Sequence, residues 1–299
     1  MLKRILLIGP RGQIGWELLR CAQPLGQVFP VGRSTNDQML IHLDLADINS
    51  IRSVIREIRP DVIINAAAYT AVDNAEKEKE AELVKIINGE APGVIAEEAQ
   101  RLNALFIHYS TDYVFDGNQT RPYTEQDAVS PTSSYGESKL AGEQAVQAVG
   151  GNYLILRTSW VYGTRGKNFL LTMQCLAKER GELKIVADQV GTPTWSRLIA
   201  EATVHIIAQL NSPLCHSDMD NVSGVYNLTC GGKTTWYDFA KAIIAPTPHR
   251  PKILPLTTAE YPTPAKRPAY SVLSNAKLKR TFGIALPAWD VALKLCLEN

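Results

Sequence analysis

Short apolar runs alternate with stretches of helical periodicity through the first half of the chain. The runs at 4–8, 27–31, 39–43, 62–65, 105–110 and 153–157 read as strands. Between them, 14–23, 48–56, 81–101 and 135–149 read as helices. Strand, helix and strand in that rhythm require right-handed crossovers, and these bury a parallel sheet between two layers of helices. The pattern predicts an α/β fold, a doubly wound parallel Rossmann sheet over residues 1–159. Ten prolines from Pro193 to Pro287 then punctuate shorter elements, and helical periodicity persists at 196–210 and 237–244. Residues 160–299 are therefore read as mainly a smaller, mixed α/β substrate domain. The segment 185–210 offers a strand and a helix that can rejoin the first sheet.

Composition narrows the class. The 299 residues are 45% hydrophobic and 20% charged, which excludes disordered, collagenous and membrane-spanning chains. Lys and Arg number 31 against 30 Asp and Glu, so a net charge of +1 supplies no field for a nucleic acid or an anionic membrane. The expected partner is a small molecule caught by a local pocket. The five cysteines are Cys21, Cys175, Cys215, Cys230 and Cys296, an odd number with no Cys-x-x-Cys, and they read as reduced thiols of a cytoplasmic protein. The opening run Ile5-Leu6-Leu7-Ile8 is too short for the core of a signal peptide.

Between the first strand and first helix lies Gly9-Pro10-Arg11-Gly12-Gln13-Ile14-Gly15, a Gly-x-x-Gly-x-x-Gly loop where a dinucleotide pyrophosphate meets a helix N-terminus. Gly9 suits the tight exit from the strand, Gly12 the approach of phosphate, and Gly15 close packing of helix on sheet. Arg11, Gln13 and Ile14 complete the loop as cofactor contacts. The spacing is that of the short-chain dehydrogenase/reductase superfamily, particularly its extended members. After the second strand, where an NAD site usually carries an acid, stands Val31-Gly32-Arg33-Ser34. Arg33 can pair a 2′-phosphate, so NADPH is the expected cofactor, with NADH as an acceptable second donor. Asp44 and Leu45 are placed for the adenine edge, and Ala66, Ala67 and Ala68 for the nicotinamide ribose.

Tyr135 and Lys139 stand four residues apart, on one face of a helix. A phenol, which ordinarily ionises near pH ~10, acts near neutrality when a neighbouring cation stabilises its anion. The same spacing recurs at Tyr237 and Lys241, which read as a helix packing the substrate pocket. Context separates the two, because Tyr135 follows His108-Tyr109-Ser110-Thr111-Asp112-Tyr113-Val114-Phe115 at the C-terminal end of the fifth strand. Open α/β sheets place chemistry at that edge. Thr111, with Ser110 beside it, can donate to a ketone oxygen gaining negative charge. His108 reads as a satisfied core histidine, and His42, His205, His216 and His249 show no metal-ligand spacing.

Gly12-Gln13-Ile14-Gly15-Trp16-Glu17-Leu18, the run from Asn65 to Asp73, His108 to Phe115, Tyr135 to Glu143, Arg157 to Tyr162, and Tyr261 to Pro268 together resemble the dTDP-4-dehydrorhamnose reductase family, which belongs to the extended short-chain reductases. The resemblance runs nearly end to end. It implies reduction of the 4-keto group of dTDP-4-dehydro-6-deoxy-L-mannose, with Tyr135 as proton donor, Lys139 lowering its pKa and binding ribose, and Thr111 polarising the ketone. It also implies a sugar pocket lined by Val72, Tyr113 and Trp160, with Thr70 and Ser110 among the substrate contacts and Arg267 clamping the diphosphate. The sequence departs from the family at one point. Some members bridge a dimer through a divalent metal held by carboxylates, and of that set Glu17 clearly survives, whereas Trp195-Ser196-Arg197 brings a cation. Mg²⁺ is not expected, nor a strong dimer: the chain is read as a monomer or weak homodimer.

Two other readings compete. A sugar-nucleotide dehydratase or epimerase would use carboxylates at the strand end, where Thr111-Asp112-Tyr113 supplies an incomplete pair. A dinucleotide-binding regulatory subunit, like that of methionine adenosyltransferase, would share the fold without turnover.

Overall fold

The computed structural model describes residues 3–34, 39–212 and 222–298. Pro213, Cys215 and His216 lie outside the described residues. β1 (Lys3–Ile8), β2 (Gly26–Gly32), β3 (Ile41–His42), β4 (Val62–Asn65), β5 (Leu105–Thr111) and β6 (Tyr153–Thr158) form a parallel sheet in the order β6-β5-β4-β1-β2-β3. Every residue of β4 and β5 is buried, as expected of strands covered on both faces. Helix α1 (Gln13–Cys21) covers one face, while α2 (Ile48–Ile58), α5 (Ala91–Leu102) and α6 (Ser134–Val149) cover the other, with α3 (Val72–Ala75) and α4 (Glu78–Val84) between α2 and α5 in the chain.

The expected helix at 81–101 is three pieces: α4, a π-helical turn at Lys85–Glu90, and α5. Pro92 explains the break. It has no N–H for the Asn88 carbonyl four residues back, and its ring would collide with that oxygen, so the turn widens. Asn88 is thereby directed at the loop after β4, where its Oδ1 accepts the Tyr69 N–H at 2.8 Å and its Nδ2 donates to Tyr69 O and Ser138 Oγ, both at 3.0 Å. On the same side of the sheet, Glu98 of α5 is buried under Arg52, Arg56 and Arg101, with N–O distances of 2.7–2.8 Å, tying α2 to α5.

Beyond β6 the chain builds a second core around Tyr162, Leu170, Met173, Trp195 and Phe239, from α7 (Phe169–Glu179) and the helix Trp236–Ile244. The strands Glu182–Val186 and Lys252–Leu256 pair beside it. The segment 185–210 splits in use: its strand stays with this smaller core, whereas α8 (Ser196–Leu210) packs on α1 and completes the first core with Ile199, Ile206 and Ile207. The sheet gains a seventh strand, Gly224–Asn227, parallel to β6. Its four residues, Gly-Val-Tyr-Asn, form no apolar run, and it is absent from the sequence-based prediction.

Candidate active site

The site lies at the C-terminal edge of the sheet. Leaving β1, the backbone turns at Gly9 with φ of +81°, and a Cβ at Gly15 would stand 2.0 Å from the Gly9 carbonyl oxygen. Glycine at both positions lets α1 begin directly on the turn, its first N–H groups facing the cleft. That cleft, of about 520 Å³, is lined by Gly9, Arg11, Gly12, Gln13 and Ile14, by Ala66, Ala67, Ala68 and Thr70 after β4, and by Ser110, Tyr135 and Lys139. It adjoins a hollow of about 380 Å³ that shares Gly9, Ala67, Ala68 and Thr70 and adds Arg33, Asp44 and Leu45. The cofactor residues named from the sequence thus come together along one groove, with Gly15 packed behind its turn.

A dinucleotide fits this groove. Helix N–H groups suit the pyrophosphate, the alanines leave backbone accessible, and exposed Arg33 stands at the hollow's wall beside Asp44. Two buried hydroxyls, Ser110 Oγ and Thr158 Oγ1, belong to residues lining the cleft and make no hydrogen bond among the described residues. Buried polar atoms are normally paired, so these two are positioned for a ligand. Thr158 was not anticipated from the sequence; its place directly opposite Thr111 across β5 and β6 is the signal that finds it.

Helix α6 carries the proton chemistry. Ser133 Oγ caps it by accepting the Gly136 N–H at 3.2 Å, and Glu76 takes the Ser134 N–H at 2.9 Å, so the turn bearing Tyr135 is held at both sides. Dehydration pushes the Tyr135 phenol up to about 12, while a hydrogen bond with Thr111 pulls the other way. One turn on, Lys139 is buried, its amine donating to the Tyr109 carbonyl at 2.7 Å and facing His108 Nε2 at 3.3 Å. Burial pushes it down to about 8, with Glu143 acting in the opposite sense. Thr111 Oγ1 accepts the Tyr113 N–H and lies 3.2 Å from Asp112 Oδ1, whose buried carboxyl is pushed up to about 6. Thr111, hydrogen-bonded to Tyr135, is not part of the groove's wall, while Tyr135 and Lys139 face it. Tyr237 and Lys241 do not: Lys241 is half exposed and pairs with Asp238.

A third cavity, of about 420 Å³, is lined by Trp236, Arg267, Gln189, Met173, Thr263 and Tyr261, among others. Of these, only Arg267 was singled out from the sequence. Its guanidinium forks onto Asp73, with Nη2–Oδ2 of 2.8 Å and Nη1–Oδ1 of 3.1 Å, and also donates to Thr263 Oγ1. Trp160 stacks on Trp236 with ring centroids 3.6 Å apart, in a left-handed backbone conformation with φ of +46°. Tyr113 meets the Tyr135 ring edge to face at 5.5 Å. Val72, which opens α3, Tyr113 and Trp160 stand next to these cavities and are not among the residues of their walls.

Residues 3–299 match the family described as the RmlD substrate binding domain. The dTDP-4-dehydrorhamnose reductase of Burkholderia thailandensis is 48% identical, over 99% of this chain and 98% of its own. The crystal structure of a dTDP-4-dehydrorhamnose reductase from Clostridium acetobutylicum superposes with a TM-score of 0.88 at 38% identity, covering 99% of this chain and 98% of that one. One from Bacillus anthracis, in complex with NADP, gives a TM-score of 0.88 at 34% identity over 100% and 99%. With its fold, groove and sequence all of this kind, the chain belongs to the RmlD family, that of the dTDP-4-dehydrorhamnose reductases.

Proposed function

We infer that this chain reduces the 4-keto group of dTDP-4-dehydro-6-deoxy-L-mannose to dTDP-L-rhamnose, the last step in making that activated sugar, with NADPH as reductant. The observation that carries this reading is the presence of Tyr135 and Lys139 in the wall of the dinucleotide-shaped groove, with Thr111 hydrogen-bonded to Tyr135. NADPH, when bound, supplies the hydride to the ketone carbon. Tyr135, protonated at neutral pH, gives its phenolic proton to the ketone oxygen. The Thr111 hydroxyl donates to the same oxygen as negative charge develops, and Lys139 lowers the cost of the phenolate and holds the cofactor ribose. Ser110 and Thr70 border the reacting end of the groove. Val72, Tyr113 and Trp160 are assigned to the sugar, and Arg267, held by Asp73 in the wall of the third cavity, to the diphosphate.

The test follows reduced-nicotinamide absorbance with freshly prepared dTDP-4-dehydro-6-deoxy-L-mannose, with the UDP analogue and NADH as comparisons. Stoichiometric loss of NADPH is expected; NADPH binding without turnover refutes the reaction and returns the regulatory-subunit reading. We assign the reaction to the cytoplasm, supported by the four described cysteines, none of which forms a disulfide. We also propose that it runs without Mg²⁺ in a monomer or weak homodimer, supported by Arg197, which pairs with Glu201 beside Glu17. Full activity in excess chelator is the expected result, and activity restored by added Mg²⁺ overturns it.

A further inference from the structure

The hydrogen bonds behind Lys139 dictate where its protons sit. Asn65 ends β4, and its Oδ1 accepts the Ala67 N–H at 3.1 Å, in the stretch that lines the groove. This orients the amide, so Nδ2 donates to His108 Nδ1, 3.2 Å away. A ring nitrogen that accepts carries no hydrogen. His108 is buried and held neutral by dehydration, so its hydrogen is on Nε2. Nε2 faces Lys139 Nζ at 3.3 Å.

An ammonium group has three hydrogens and no lone pair; an amine keeps one lone pair that can accept. With one hydrogen given to Tyr109 O, the uncharged amine still offers its lone pair to His108 and a second hydrogen to the groove. The ammonium form would set hydrogen against hydrogen. Reversing the His108 tautomer moves the conflict to Asn65, and turning the Asn65 amide then leaves the Ala67 N–H without its acceptor. Other groups facing Lys139 do not supply a competing charge of their own from the sheet side. Tyr135 and Glu143 are on its own helix, Glu143 is forked onto Arg157 of β6 at 2.6 and 2.9 Å, β5 presents His108 and the Tyr109 carbonyl, and β4 presents the Asn65 amide.

We propose that His108 is a positioning residue that biases the Lys139 amine towards its uncharged form in the free enzyme, and that Asn65 links this to the cofactor loop, so that above neutral pH binding NADPH draws a proton onto Lys139. The proton comes from solvent and stays on Nζ, where the anionic cofactor stabilises it. This rests on the reading of the groove as the NADPH site.

The experiment is calorimetric titration of the full chain with NADPH in buffers of different ionisation enthalpy, which reports protons taken up per NADPH bound. At pH 8.5 the cofactor 2′-phosphate is already ionised. With Lys139 near 8, the wild-type chain should take up about 0.7 proton there and less than about 0.2 at pH 6.5. Asn65→Asp still accepts from Ala67 but cannot donate to His108, which reverses the tautomer and charges Lys139 beforehand; His108→Phe removes the donor. Asn65→Asp should bind NADPH with uptake near zero at pH 8.5, and His108→Phe, which leaves Lys139 as dry as before, with uptake below that of the wild type. Binding by the wild type with no proton uptake, or unchanged uptake in Asn65→Asp, overturns the proposal. Absence of NADPH binding overturns the groove reading instead. Should His108→Phe not fold, the wild-type pH dependence and Asn65→Asp decide.

Discussion

Replacing Tyr135 by Phe removes one oxygen and leaves the surroundings in place. The ring keeps its edge-to-face contact with Tyr113, α6 keeps its Ser133 cap, and Lys139 keeps its bond to Tyr109. What disappears structurally is one neutral hydrogen bond with Thr111, worth about 1 kcal/mol, and part of that returns because a dehydrated hydroxyl no longer needs a partner. NADPH affinity and the unfolding midpoint should therefore stay close to those of the parent. The chemistry loses its proton donor, which for a positioned acid amounts to roughly 10²–10⁴ in rate, or about 3–5 kcal/mol of barrier. Nicotinamide absorbance gives kcat, and quenching of protein fluorescence gives the NADPH dissociation constant. A variant with kcat within tenfold of the parent refutes Tyr135 as donor. One that loses kcat and NADPH affinity in equal measure refutes a role confined to the chemical step.

The other predictions concern affinity, cofactor choice and acid stability. Arg267→Met should raise KM for the sugar nucleotide by roughly ten- to a hundredfold with kcat less affected, since a charge-assisted fork on phosphate is worth about 1.5–3 kcal/mol; an unchanged KM removes Arg267 from the diphosphate site. Arg33→Glu should erase the preference for NADPH over NADH, measured as the ratio of kcat/KM values, because a carboxylate repels the 2′-phosphate that a guanidinium pairs; a preserved ratio shows that Arg33 does not read it. Arg56 and Arg52 hold the Glu98 carboxyl down to about 2, below its unfolded value of 4.5. Its contribution, about 3 kcal/mol, is therefore complete above pH 4.5 and is lost as pH falls towards 2. Glu98→Gln should lower stability by that amount at pH 7 in urea unfolding, with the gap to the parent narrowing below pH 4.5; a gap independent of pH argues against the ion pairs.

Much of this architecture was legible because the first six strands are apolar runs set between helices of clear period. The phosphate turn was legible for a different reason: Gly9 and Gly15 are demanded by backbone geometry, which leaves a mark in sequence. Elements whose reasons are tertiary were not. Gly224–Asn227 is a strand because β6 offers it an open edge, and Asn88 matters because Pro92 forces a wider turn. The third cavity draws on residues from 169 to 267, and Arg267 meets a partner 194 positions away. His108 was correctly expected to be buried, yet its neighbour across the helix layer is Lys139, which no local pattern reveals.

The late seventh strand also sets an order of assembly during synthesis. A ribosome delivers β1 to β6, then the whole of α7 and α8, before Gly224–Asn227 can emerge and close the edge of β6. Until then the nascent chain displays Tyr153–Thr158 with unpaired backbone groups, and α8 has α1 to find across a gap of more than 170 residues. Long-range parallel pairing of this kind is slow, and exposed strand edges invite other chains. The vulnerable interval in the life of this protein is therefore the one between the emergence of β6 and the emergence of residue 227, when the last strand of the main sheet is still in the tunnel.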